Sequence, residues 1–93
     1  MLKVVYFFEV AKSLYQEAAL WVQELKIHKM TELYSGQGFF SFSCAPFVKE
    51  ALGIEINVDA VKNAAENAKR LGLTHLRFEA KDAISFENLS SDL

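Results

Sequence analysis

Three short stretches of this chain put acids and glycines where a small ligand could be held. In Glu32-Leu33-Tyr34-Ser35-Gly36-Gln37-Gly38 an acid stands four residues ahead of a Gly-x-Gly turn. Glycine tolerates positive φ and has no Cβ, so a ligand can lie almost on the backbone there. Glu55, in Gly53-Ile54-Glu55-Ile56-Asn57, offers a carboxylate that can accept from both hydroxyls of a ribose. Asp82, in Ala80-Lys81-Asp82-Ala83, offers one that can accept from an adenine amino group. Singly, each has a plainer explanation: a tight turn, a solvated strand-end acid, a helix N-cap.

The elements between these stretches decide whether they meet. Leu2 to Phe8 is β-branched and aromatic and reads as a strand. Val10, Leu14, Ala18, Trp21, Val22 and Leu25 recur at helical spacing, predicting a helix from about Val10 to Lys26 with Trp21 in the core. Met30 to Tyr34 is a strand running into the glycine turn. Phe39 to Val48 holds a short buried helix bent by Pro46, and Glu50 to Ile56 is the next strand. Asn57 caps a helix whose apolar stripe is Val61, Ala64, Ala65, Ala68 and Leu71, and Gly72 suits its left-handed C-terminal cap. Leu76 to Ala80 is a further strand, and Asp82 to Leu89 begins a turn or helical segment.

Alternating strands and helices build a parallel sheet, and such a sheet binds its ligand at the carboxyl ends of its strands. The glycine turn, Glu55 and Asp82 each follow a successive strand. Their spacing suits an adenosyl ligand lying across three strand ends. The same glycines fit a nicotinamide nucleotide less well, because Ser41 stands where that fingerprint wants a third glycine.

Composition narrows the field. The chain has 93 residues, enough for one domain; 52% are hydrophobic and 24% charged, as in an ordinary globular protein. The net charge of −2 and the lack of a basic stripe speak against a free-standing nucleic-acid binder. A lone cysteine, Cys44, excludes an internal disulfide and points to a reducing, cytoplasmic compartment. Set among Phe39, Phe40, Phe42 and Phe47, it reads as a small core hydrophobe. His28 and His75 lack partners at metal-ligand spacing, so surface or capping roles are expected and no metal. The apolar run before Glu9 is too short for a secretory segment or for the ~20 residues of a membrane span.

Together the motifs resemble a known family, the C5-uracil RNA methyltransferases. Leu33-Tyr34-Ser35-Gly36-Gln37-Gly38-Phe39-Phe40 is similar to that family's cofactor motif, Asp-Leu-Tyr/Phe-Cys-Gly-x-Gly-x-Phe, with Glu32 for the usual Asp and Ser35 for the usual Cys. Gly53 to Asn57 and Lys81-Asp82-Ala83 resemble its second and third cofactor motifs. Cys44-Ala45-Pro46 and Leu71 to Phe78 resemble the bacterial subgroup acting on large-subunit ribosomal RNA. The resemblance spans about Phe7 to Phe86. It implies an α/β, Rossmann-like fold of about three parallel strands plus the N-terminal strand. It also implies S-adenosylmethionine as cofactor, held by Glu32, Tyr34, Gly36, Gly38, Glu55 and Asp82.

The departures carry as much. In the family a cysteine attacks C6 of uracil and makes C5 nucleophilic. That cysteine, an Asn-Pro-Pro segment and a general-base glutamate follow the third cofactor strand, and Pro46 is the only proline here. The iron–sulfur cysteines and RNA-binding parts have no counterpart, and Glu9 replaces a glutamine that lines the active site. The resemblance thus implies a single truncated cofactor-binding domain, inactive alone, reaching RNA only through parts missing from this chain. Two other readings stay open: an interaction module that has lost the cofactor, and a nicotinamide-binding oxidoreductase fragment. Without a fourth strand, the edge of the Met30–Tyr34 strand is open. Leu2 to Phe8 is expected to cover it, within one chain or, as the intervening helix favours, exchanged between two, and the protein is expected to be a homodimer.

Overall fold

A computed structural model of the protein describes residues 4–8 and 11–82. Four parallel strands form one sheet in chain order: β1 (Val4–Phe8), β2 (Lys29–Leu33), β3 (Glu50–Glu55) and β4 (Leu76–Ala80). Between them lie α1 (Tyr15–Glu24), α2 (Phe39–Cys44) and α3 (Val58–Arg70). β1 pairs with β2 from Val4 opposite Lys29 to Phe8 opposite Leu33, so the N-terminal strand covers that edge within one chain.

Register explains which residues share a face. Met30, Ala51 and Leu76 are partners across three strands, and Glu32, Gly53 and Phe78 form the next row. This face meets the helices. Met30, Ala51 and Leu76 share one core with Ala19 and Val22 of α1, Phe40 and Cys44 of α2, and Ala68 of α3. Cβ alternation sends Thr31, Leu33, Leu52 and Ile54 to the other face. There Leu33 and Ile54 form a separate small cluster with Leu52, in which no helix residue takes part among the described residues.

The helices begin and end for local reasons. A 3-10 turn at Lys12–Leu14 leads into α1, and Lys26, at φ 53°, turns the chain out of it. The predicted helix from Val10 to Lys26 is therefore shorter; Val10 itself lies outside the described residues. Its inward face is also rotated from the one expected. Ala19 and Val22 are buried, with Tyr15 and Ala18 packed on the same core, whereas Trp21 is 55% exposed. Two apolar stripes run side by side on this helix, and Tyr15 and Ala19 lead the one that won. Pro46 converts the end of α2 into a 3-10 turn, Ala45–Phe47, as expected of a residue without an N–H. Asn57 caps α3 by accepting from Ala60 N at 3.0 Å, and Gly72, at φ 72°, closes it. On the stripe of α3 only Ala64 and Ala68 are fully buried, and Leu71 remains exposed. The segment expected after Asp82 falls outside the described residues. No helix among those described is long and apolar enough to cross a membrane.

Candidate functional site

β2 ends where its backbone turns left-handed. Tyr34, Gly36 and Gly38 take φ of 61°, 56° and 83°, alternate residues in one tight loop. For Tyr34 this conformation costs on the order of 1–2 kcal/mol. The loop is pinned by Ser35 N donating to Ile54 O at 3.0 Å and Gly38 N donating to Ser35 O at 2.9 Å. Tyr34, predicted to finish the strand, instead breaks it and leaves its side chain 41% exposed at the strand's carboxyl end.

The two glycines of the motif do different work. A Cβ on Gly36 would meet nothing within 4 Å, so the space over its backbone is open. A Cβ on Gly38 would overlap the ring of Phe78. On Gly53 it would lie 2.6 Å from that ring and 2.9 Å from Ser35 Oγ. Phe78, stacked on Phe42 with ring centroids 5.7 Å apart, is thus packed against both glycines. Gly38 is required by packing inside the protein, Gly36 by the outward curve of the loop. Phe78 escaped notice in the sequence, although a glycine inside a strand, here Gly53, signals close approach by another group.

Glu55 ties the strand ends together. Its Oε1 accepts from Gly36 N at 3.0 Å and its Oε2 from Asn57 N at 2.9 Å. Both oxygens are oriented by backbone, and each keeps a lone pair for a further donor. Lys81 N donates to Glu55 O at 3.1 Å, so the chain leaving β4 runs beside Glu55 and Asp82 follows, exposed. Two residues that sequence reasoning passed over flank the carboxylate: Ile56, 70% exposed, and Val58, 56% exposed. They give this end of the sheet an apolar surface beside its acceptors. The structure therefore brings Tyr34, Gly36, Glu55 and Asp82 to one end of adjacent strands. A cavity of about 310 Å³ lies at the opposite end, lined by Lys29, Thr31, His75 and Arg77 among others. It is remote from the motifs.

Glu32 sits differently. It is 2% exposed and faces α2, where its Oε1 accepts from Ser41 Oγ at 2.8 Å and Ser41 N at 3.2 Å. Burial pushes its carboxyl up to about 7, against the lowering effect of the Ser41 bonds. Glu32 therefore fixes α2 beneath the glycine loop. The residue in place of a third glycine, Ser41, supplies both donors. Close by, burial and then the charge of Glu32 push the Cys44 thiol up to about 12, and the side chain packs in the core. His75 is a tie between elements, its Nε2 lying 2.8 Å from Ala45 O.

The open glycine loop and the acids at successive strand ends thus lie together at the carboxyl ends of a parallel, Rossmann-like sheet. Residues 26–93 match the methyltransferase domain family, and the chain belongs to it. Its relatives include 23S rRNA (uracil(747)-C(5))-methyltransferases RlmC. The Vibrio vulnificus protein is 42% identical over 77 residues, covering 83% of this chain and 20% of that protein. The Yersinia pestis protein is 39% identical over 85 residues, covering 91% of this chain and 23% of its own length. The resemblance read from the motifs agrees with both, and the chain spans about a fifth of these relatives. Among solved structures, a dimethyladenosine transferase from Plasmodium falciparum superposes with TM-score 0.67 at 16% identity, covering 80% of this chain and 27% of that one. The YcgJ protein from Bacillus subtilis gives 0.58 at 19% identity, covering 69% and 29%. These two establish the fold.

Proposed function

We propose that this chain binds S-adenosylmethionine at the carboxyl ends of β2, β3 and β4. We further propose that it is the cofactor-binding part of a 23S rRNA (uracil-5-)-methyltransferase and does not methylate alone. The observation that carries the reading is Glu55, its carboxylate oriented by Gly36 N and Asn57 N beside the open space over Gly36.

The residues fit the cofactor. Free lone pairs on Glu55 suit the two ribose hydroxyls, and the absence of a Cβ on Gly36 lets the ligand approach the loop. Ile56 offers an apolar surface for the adenine ring, and Asp82 a carboxylate for its amino group. Glu32 holds the loop from beneath. When bound, S-adenosylmethionine supplies an electrophilic methyl group on a sulfonium. The nucleophile for that methyl group is C5 of the target uracil, and the one cysteine of the sequence, Cys44, is buried with its thiol pushed up to about 12, unsuited to the attack on C6 that activates the base.

Calorimetric titration with S-adenosylmethionine, S-adenosylhomocysteine and NADH tests this reading. Saturable heat with the first two and none with NADH is expected. Heat with none of them leaves an interaction module, and heat with NADH alone a nicotinamide site.

A further inference from the structure

The face of α1 that turns outward has its own order. Leu14, in the 3-10 turn that leads into α1, and then Ala18, Trp21 and Leu25 follow one another at spacings of four, three and four residues, the spacing of a seam that packs against another helix. Leu25 extends the helix, its N–H donating to Trp21 O at 3.0 Å. Leu14, Trp21 and Leu25 are 48%, 55% and 40% exposed. Beside them runs a shallow groove of about 430 Å³ lined by Leu14, Glu17, Ala18, Leu20, Trp21 and Glu24. Ala18, half-buried against the chain's own core, forms the floor of this groove between Leu14 and Trp21. A half-exposed tryptophan beside such a groove is the residue type that anchors protein interfaces.

Charge decides what fits. Glu17 and Glu24, seven residues apart, line one flank of the seam, and α1 holds no Lys or Arg between Tyr15 and Glu24. The other flank, Tyr15 and Val22, is already turned into the chain's own core. A helix lying on the seam therefore meets acid along its free side, and Lys or Arg at its own flanking positions complements it. A second copy of α1 laid antiparallel would set Glu17 and Glu24 against the same acids, which disfavours self-pairing here.

We propose that the Leu14–Ala18–Trp21–Leu25 seam is a docking surface for an amphipathic helix of another protein, apolar on its seam and basic on its flank. Trp21 is the only tryptophan of the chain, so its fluorescence reports on this surface alone. The probes are two synthetic helical peptides of about three heptads with leucine seams, one flanked by Lys and the other by Glu. The Lys-flanked peptide is expected to shift Trp21 emission to the blue, saturably and less so at high salt, with little response to the Glu-flanked one. In the double variant Glu17→Lys, Glu24→Lys, with unchanged circular dichroism, the preference is expected to reverse by about tenfold or more. Equal binding of the two peptides, or binding of neither, overturns the proposal. So does a blue shift that grows with protein concentration alone, because the occupant is then a second copy. Leu14→Glu, at an exposed position lining the groove, is expected to abolish the shift with circular dichroism unchanged; a response that survives it places the peptide elsewhere and also overturns the proposal.

Discussion

Glu55 Oε1 and Gly36 N lie 3.0 Å apart although nineteen residues separate them in sequence, and this bond joins the glycine loop to the end of β3. One carboxylate therefore shapes the loop and faces the open side on which a ligand would lie. Glu55→Ala is expected to weaken S-adenosylmethionine binding by about 1–3 kcal/mol, the range for losing a charged acceptor. Calorimetry at constant temperature measures it, and an affinity equal to the parent's removes the ribose assignment.

Gly36→Val places a branched side chain at φ 56°, in space the protein leaves open. Binding of S-adenosylmethionine should be lost while circular dichroism remains that of a folded domain. Undiminished binding would place the ligand away from the loop.

Ser35 Oγ is buried and has no hydrogen-bond partner among the described residues. An unsatisfied buried hydroxyl costs about 1–3 kcal/mol. Ser35→Cys, the residue the resembling motif carries, and Ser35→Ala should both raise stability by about 1 kcal/mol in urea unfolding. A loss in both variants would mean the hydroxyl is satisfied in solution.

Glu32 sets a pH dependence. Its carboxyl titrates near 7 in the folded chain against an ordinary value of 4.5, chiefly because it is buried. Folded protein therefore retains a proton that unfolded protein gives up across that interval. The stability tied to this proton is fully present below pH 4.5 and declines as pH rises through 7. Urea unfolding should show the parent losing on the order of 1–3 kcal/mol more than Glu32→Gln between about pH 4.5 and pH 8. Parallel profiles for the two proteins would refute it.

The edge strand gives a further prediction. β1 makes its bonds to β2 within one chain, and the same bonds are available between copies if the strand exchanges. We propose an exchanged homodimer in solution, to be read by sedimentation equilibrium. Removing the residues before Val10 should abolish the dimer and lower thermal stability. A monomer before and after deletion, with unchanged melting, would exclude exchange.

Much of this arrangement was legible because local rules and global packing agree. Asn57, Gly72 and Pro46 act where their chemistry says they should. α1 was misread because its sequence offers two adjacent apolar stripes, and periodicity cannot say which of them a sheet will cover. Glu32 and Gly38 illustrate a second limit. Their spacing announced a ligand, yet their partners, Ser41 and Phe78, come from elements nine and forty residues away. Spacing finds a loop's shape; only the fold reveals what presses against its inner side.

The four described strands lie in the sheet in the order in which the chain is made. Each strand, β1 through β4, lies beside the one synthesised just before it, with one helix laid down between them on a common face. Among the described strands each pairs only with its neighbours in sequence, so every loop closed on pairing spans a single crossover. A chain emerging from the ribosome can add strand to strand like a zip. The glycine loop is joined to Glu55 as soon as β3 is in place, before β4 exists.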